Sequence, residues 1–153
     1  MRRKNESEHI GLGAIRQATV AVSDMKRVLG KTLAGKRILW ADDCPGNNVL
    51  SIKLLRDAGA LVLLVRSTDD AISKLDLSNR TDLVSSDMGR EDNPVAGIEL
   101  LHTMRSKGLC LPVIIYSDSP AARNRCQEIN RLGAIGPILG TKNLIAEVAR
   151  VLQ

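Results

Sequence analysis

Apolar and polar residues along the chain form blocks that predict a regular alternation of strands and helices. Five short, mostly apolar stretches have the length of strands, and "RILWA" is apolar enough to predict a strand buried on both faces. The predicted strands are RILWA (37–41), ALVLLVRS (60–67), TDLVSSD (81–87), LCLPVIIYS (109–117) and GAIGPIL (133–139).

A helical pattern follows each predicted strand. The first of these helices is capped by Asn47 or Asn48 and runs to about Ala58. The others cover residues 68–75, about 98–106, 120–132 and 141–152. Five strands alternating with five helices predict an α/β fold, a doubly wound parallel sheet with helices on both faces.

The N-terminal segment carries a different pattern. After ten polar residues, a helix is predicted over about 12–34, because Ile15, Val22 and Leu29 recur every seven residues with Ala18 and Met25 between them. This narrow stripe fits a helix packed on its own domain or one that dimerises or docks on a partner. A linker is predicted at 34–36, which divides the chain into a basic helical extension (1–35) and a main domain (36–153).

Charge separates the same two regions. The 153-residue chain has a net charge of +5, but residues 1–37 hold nine Lys/Arg against three Asp/Glu. The basic segment is either a solvated tail or a contact for phosphate or an acidic partner. Phe is absent and Trp40 and Tyr116 are the only aromatic residues, which predicts an aliphatic core. Without stacking aromatics or a helix-turn-helix segment, we do not expect nucleic-acid binding.

The cysteines and the hydropathy pattern bear on the compartment. Cys44, Cys110 and Cys126 have neither CxxC nor metal-ligand spacing. No apolar run approaches the ~18 residues of a membrane helix, so we expect no membrane association. The sequence therefore predicts a reduced, cytoplasmic protein.

Acidic residues stand where predicted strands end. Asp42 and Asp43 follow the first strand, Asp87 ends the third and Ser117 ends the fourth. In a sheet of order 2-1-3-4-5, strands 1 and 3 flank the switch point where ligands bind. Three carboxylates repel one another but suit Mg²⁺, which prefers oxygen ligands. Asp87, central between the pair and Ser117, is the candidate nucleophile towards phosphorus, and the Ser117 hydroxyl can donate to a phosphoryl oxygen.

Charged residues also follow Asp87. For Arg90, Glu91 and Asp92 we predict a solvated loop, with a role in shaping access to the acidic cluster as the alternative.

The stretches "RILWADDCPGNN", "DLVSSDMGR", "PVIIYS" and "LGAIG" occur in the order and spacing of response-regulator receiver domains, which residues 36–153 resemble. The resemblance implies a flavodoxin-like fold and a two-component phosphorelay role rather than a classical enzyme. It implies that a histidine kinase or phosphotransfer protein phosphorylates Asp87, and that an unidentified downstream protein reads the signal. It further implies metal ligation by Asp42, Asp43, Asp87 and the Gly89 carbonyl, and a switch role for Ser117.

Two positions depart from the receiver pattern. Where receivers end strand 5 with a lysine, this chain has Gly140, and Lys142 is the candidate substitute. The usual switching aromatic of strand 5 is replaced by Pro137. These departures keep a second hypothesis open, a phosphorylation-independent pseudo-receiver that acts as an interaction or dimerisation module through residues 12–34.

Overall fold

The computed structural model describes residues 22–77, 80–90, 92–117 and 119–153. Its centre is a parallel five-stranded sheet in the order β2-β1-β3-β4-β5, which confirms the predicted flavodoxin-like topology. The strands are β1 (Arg37–Ala41), β2 (Leu61–Val65), β3 (Leu83–Asp87), β4 (Val113–Tyr116) and β5 (Ile135–Ile138).

Helices flank the sheet on both faces. The first, α1, is helical over 22–29. The others are α2 (Val49–Asp57), α3 (Thr68–Leu77), α4 (Ala96–Ser106), α5 (Cys126–Arg131) and α6 (Thr141–Leu152), with 3₁₀ segments at Pro45–Asn48 and Pro120–Arg125. Within the described residues, no helix is both long and apolar enough to span a bilayer.

Several predicted elements differ from the structure in their extent, among them the fourth strand and the helix that follows it. The fourth strand was predicted from residue 109, but β4 begins at Val113 because the carbonyls of Leu109 and Leu111 accept hydrogen bonds from the Arg105 guanidinium, at 2.7 and 3.1 Å. The single helix predicted over 120–132 is a 3₁₀ segment followed by the short α5.

Each face of the sheet has its own hydrophobic core. One core contains Trp40, Leu33 and residues of α2 and α6. The other contains residues of α3, α4 and α5 packed on β1, β3 and β4. Both are mainly aliphatic, as the composition predicts, and Trp40 is fully buried among them.

The segment after α1 is part of this body. Leu29 and Leu33 are buried in the Trp40-side core, and the Leu33 amide donates to the Ala58 carbonyl at 3.1 Å. Gly59 has φ +100, and a Cβ there would come within 2.8 Å of the Ala34 Cα. Residues 34–36 are therefore held by close backbone contact, which corrects the predicted linker. Gly59 allows this approach because it lacks a side chain.

The apolar stripe of α1 also faces this core. Val22 and Met25 pack against it beside the buried Leu29. The described part of the helix therefore packs on its own domain, which was the first of the two predicted alternatives. The helix ends at 29 rather than 34, since 30–35 form turns. Ile15 and Ala18 lie outside the described residues, and the division at residue 35 stays a prediction.

Candidate metal and phosphoryl site

A cavity of about 510 Å³ opens at the carboxyl ends of β1, β3 and β4. Its lining includes the residues at the ends of these strands and those of the loops that follow them. One carboxylate oxygen from each of Asp42, Asp43 and Asp87 lies within 4.8 Å of the others. The parallel sheet thus brings the three predicted carboxylates together.

Asp42 is the most enclosed carboxylate of the cluster, with 4% of its surface exposed. It accepts three hydrogen bonds: from the Cys44 amide at 2.8 Å, from Asn48 Nδ2 at 2.7 Å and from the Tyr116 hydroxyl at 2.7 Å. Two carboxylate oxygens offer about four lone-pair positions, so little further capacity remains. Asp42 is therefore held in a fixed orientation. Asn48, predicted as a helix cap, makes no side-chain cap bond.

Tyr116 is a member of the site that the sequence analysis did not single out. It pairs in register with Asp87 on β3, and its ring lies 5.2 Å from that of Trp40. Burial raises the pKa of Tyr116, and its hydrogen bond to Asp42 acts in the same direction. Tyr116 therefore remains a protonated donor to Asp42.

Asp87 lies at the end of β3 with 13% of its side chain exposed. Burial raises the pKa of Asp87 to about 8; the charge of Asp42 adds to this rise, and Arg90 opposes it. The apo site therefore disfavours three ionised carboxylates together. A cation beside them relieves this repulsion.

Arg90 corrects the prediction of a solvated loop. It is buried, with 4% exposed, and its guanidinium donates to Asp87 Oδ1 at 3.0 Å. It also donates to Ser86 Oγ at 2.6 Å, Thr68 Oγ1 at 2.8 Å and the Ala96 carbonyl at 3.1 Å. Asp92 is exposed as predicted, while Glu91 lies outside the described residues. In the sequence, nothing distinguishes Arg90 from its charged neighbours.

Helix α4 begins directly against the end of β3. The Gly97 amide donates to the Met88 carbonyl at 2.8 Å, and a Cβ at Gly97 would clash with the Asp87 carbonyl oxygen. Only glycine permits this approach, which fixes the loop carrying Arg90.

The remaining predicted residues differ in position. Ser117 and Gly89 line the cavity, whereas Lys142 is exposed in the first turn of α6 and is not among the described lining residues. Arg125, which the sequence analysis did not single out, lines the cavity and pairs with Glu128 at 3.3 Å.

The β5 side contributes little to the cavity. The described residues that line it include none from β5 or the start of α6. The Ser117 amide donates to the Ile138 carbonyl at 2.9 Å, so β5 supports the site through the backbone. Gly140 has φ +84 and directly precedes α6.

The donor set fits Mg²⁺. All three side-chain donors of the cluster are carboxylate oxygens, which a hard divalent cation prefers. Three carboxylates carry −3 and Arg90 carries +1, which leaves a formal −2 for a divalent ion to balance. Asp43 and Asp87, with the Gly89 carbonyl, would hold the ion, and Asp42 has its remaining lone pair to offer.

Comparison with known proteins bears on the fold. The CheY4 chemotaxis response regulator of Vibrio cholerae superposes with a TM-score of 0.64 at 21% identity, over 76% of this chain and 98% of its own. The HemR receiver domain of Leptospira biflexa superposes with a TM-score of 0.61 at 25% identity, over 77% of this chain and 94% of its own.

The chain has the fold of response-regulator receiver domains. TrrA of Thermotoga maritima, a response regulator solved in complex with Mg²⁺-BeF, has the same fold, with a TM-score of 0.62 at 23% identity over 76% of this chain and 98% of its own. No protein-family model and no curated protein matches the sequence. Within this receiver fold, five of the positions that the resemblance singles out border one cavity: Asp42, Asp43, Asp87, Gly89 and Ser117.

Proposed function

We propose that this chain is a cytoplasmic response-regulator receiver that accepts a phosphoryl group on Asp87 in a Mg²⁺-dependent step. The observation that carries the proposal is the convergence of three carboxylates within 4.8 Å on an open cavity. The receiver fold supports it, and so does the related TrrA structure, which was solved with Mg²⁺-BeF.

The transfer step requires a carboxylate oxygen that can reach phosphorus. Asp87 lines the cavity and supplies that oxygen. Its oxygen–phosphorus bond forms as the phosphorus–nitrogen bond of a donor phosphohistidine breaks, and the electron pair stays on the imidazole nitrogen. When bound, Mg²⁺ neutralises charge on the phosphoryl oxygens and orients the group.

Residues around Asp87 orient the acidic pair and can contact the phosphoryl group. Asn48 and Tyr116 hold Asp42 in place, so the acidic pair keeps its geometry. Ser117 borders the cavity and can donate its hydroxyl proton to a phosphoryl oxygen. The partner that donates the phosphoryl group is a histidine kinase or a phosphotransfer protein, and a downstream protein reads the loops after β3 and β4.

The test is the intact mass of the protein after incubation with Mg²⁺ and a small phosphodonor such as acetyl phosphate. The wild type should gain one phosphoryl group, and Asp87→Asn should gain none. Asp82→Asn is the matched control, because Asp82 lies just before β3, at the opposite end of the strand, and accepts the Arg37 amide at 2.8 Å. An unmodified wild type, or an undiminished adduct on Asp87→Asn, contradicts the proposal.

A phosphorylation-independent interaction module is the second candidate. It is favoured by Gly140 and Pro137, which replace the receiver lysine and aromatic, and by a cavity without described β5 residues in its lining. Since Leu29 and Leu33 belong to the core, the matched truncation removes residues 1–21 only. Sedimentation of both forms tests dimerisation through residues 12–34, and a monomer before and after truncation removes it.

A further inference from the structure

Arg90 is a buried cation that reaches the candidate phosphoacceptor from the protein interior. Asp87 lines the cavity, whereas Arg90 is not among the described lining residues. The guanidinium contacts Oδ1 of Asp87 at 3.0 Å in an ion pair whose members are 4% and 13% exposed. Arg90 therefore contacts the carboxylate but is placed away from an incoming phosphodonor.

Three further hydrogen bonds fix the guanidinium in place. Thr68 Oγ1 belongs to the first residue of α3, the Ala96 carbonyl to the first residue of α4, and Ser86 Oγ to β3. A planar guanidinium can make these bonds together with the ion pair because its donors point in fixed directions. The cation is thus anchored to three elements around Asp87.

The charge balance gives Arg90 a second role. A receiver lysine at the end of strand 5 would add one positive charge to the acidic cluster, and Gly140 adds none. Arg90 supplies that charge from the β3–α4 loop, which restores a formal −2 to the site.

We propose that Arg90 is the positioning residue of Asp87 and replaces the charge-neutralising part of the missing lysine. The inference rests on the proposed function. Arg90 holds one oxygen of Asp87 and lowers the repulsion between the carboxylates, which leaves the other oxygen for phosphorus. Because Arg90 acts through Asp87, its loss should slow the transfer step more than it weakens donor binding.

The experiment measures the rate of adduct formation against acetyl phosphate concentration at saturating Mg²⁺, per folded protein. For Arg90→Gln we expect the maximal rate to fall at least about tenfold, with the half-saturating donor concentration within about threefold of wild type. Arg90→Lys keeps the charge but loses the planar guanidinium that donates in several fixed directions. Its maximal rate should therefore fall only about two- to fivefold.

Arg105→Met is the matched control. Arg105 is likewise a structural arginine, with hydrogen bonds to the Leu132 and Leu109 carbonyls at 2.8 and 2.7 Å, but it lies at the far end of α4. Its maximal rate per folded protein should equal that of wild type. An Arg90→Gln rate within about twofold of wild type overturns the inference, as does a raised half-saturating concentration at an unchanged maximal rate. If Arg90→Gln does not fold, a wild-type rate for Arg90→Lys overturns it.

A wild type that forms no adduct contradicts the proposed function, and a second readout then decides the inference. Thermal unfolding without Mg²⁺ compares Arg90→Gln in the wild-type and Asp87→Asn backgrounds. The loss of Tm should be at least about 3 °C larger where Asp87 is present, because only there does the substitution remove the contact between Arg90 and the Asp87 carboxylate. Equal losses in the two backgrounds overturn the inference.

Discussion

The two sides of the cavity differ in how their polar groups are held. On the β1–β3 side, Asp42 accepts three hydrogen bonds and Asp87 pairs with the buried Arg90. On the β5 side, Pro137 and Gly140 offer no polar side chain, and the described cavity lining includes nothing from β5. Polar groups are therefore held in place on the side of the proposed metal and phosphoryl residues, while the β5 side, where receivers carry a lysine and an aromatic residue, offers none of that kind.

This difference suggests separate structural bases for binding the phosphoryl group and for passing on the signal. The fold needs β5 to complete the sheet, and the Ser117 amide bonds to the Ile138 carbonyl. That backbone contact supports the cavity without any β5 side chain. A signal from Asp87 would then pass to the loops after β3 and β4, where Arg90 contacts α3 and α4.

The largest expected effect is the loss of metal binding on the acidic side. Mg²⁺ at about a hundred times its dissociation constant should stabilise the wild type by about 2.7 kcal/mol, which raises Tm by several degrees. Asp43→Ala should abolish this shift, because it removes one of the three clustered carboxylates. The fluorescence of Trp40, the single tryptophan, gives a second readout, since Trp40 contacts the Tyr116 ring. If Mg²⁺ raised the Tm of Asp43→Ala as much as that of the wild type, the ion would bind at another site.

The close approach of α4 to β3 should be nearly as sensitive. Gly97→Ala puts a methyl group against the Asp87 carbonyl oxygen, so α4 must move or strain. We expect a loss of about 1–3 kcal/mol in the free energy of unfolding, measured by urea denaturation, together with a slower adduct rate. Gly108→Ala is the control at the other end of α4, where the Cβ meets no atom within 4 Å, although φ +77 adds some strain of its own. It should destabilise the fold but leave the adduct rate unchanged.

The pH dependence of stability sharpens the comparison further. Asp87 has a pKa raised to about 8 against an ordinary value of 3.8, so the folded apo protein holds this proton more tightly than the unfolded chain. The resulting stability is fully present below about pH 4 and is lost as pH rises through about 8. Asp87→Asn cannot ionise, so between pH 4 and pH 9 without Mg²⁺ its free energy of unfolding should rise relative to that of the wild type, by up to about 6 kcal/mol. Parallel stability curves for the two proteins would contradict this account of Asp87.

The smallest effect is expected on the β5 side. Gly140→Lys returns a cation to the receiver position, yet Arg90 already neutralises Asp87. We expect less than about a threefold change in adduct rate and a cost of about 1 kcal/mol from the φ of +84 at Gly140. A much larger gain in rate would show that the β5 lysine is the missing part of the site.

The sequence predicted those features that depend on periodicity and strand ends. The five strands and α6 followed from apolar patterns, and the strand order agrees with the flavodoxin-like fold that the receiver resemblance implies. The meeting of Asp42, Asp43 and Asp87 followed from the rule that parallel strands end at one edge. Hydrogen bonds between residues far apart in the sequence were not predicted. The hydrogen bond from Tyr116 to Asp42 spans 74 positions, and no local pattern indicates it.

Arg90 shows a second limit of prediction from the sequence. Three charged residues in a row usually indicate a solvated loop. Here the loop turns inward because Gly97 lets α4 approach β3, and acceptors from α3, α4 and β3 surround the guanidinium. Whether one charged residue of a loop is buried depends on these tertiary acceptors, which the sequence places far apart.

The most direct measurement of the central claim locates the phosphoryl group. The wild type is incubated with acetyl phosphate and Mg²⁺, the acyl phosphate is reduced with borohydride, and the altered residue is mapped by peptide mass spectrometry. We predict a reduced product at position 87 alone, which disappears when EDTA removes Mg²⁺. Modification at another residue, or none at 87 in a folded protein, would contradict the assignment of Asp87 as phosphoacceptor.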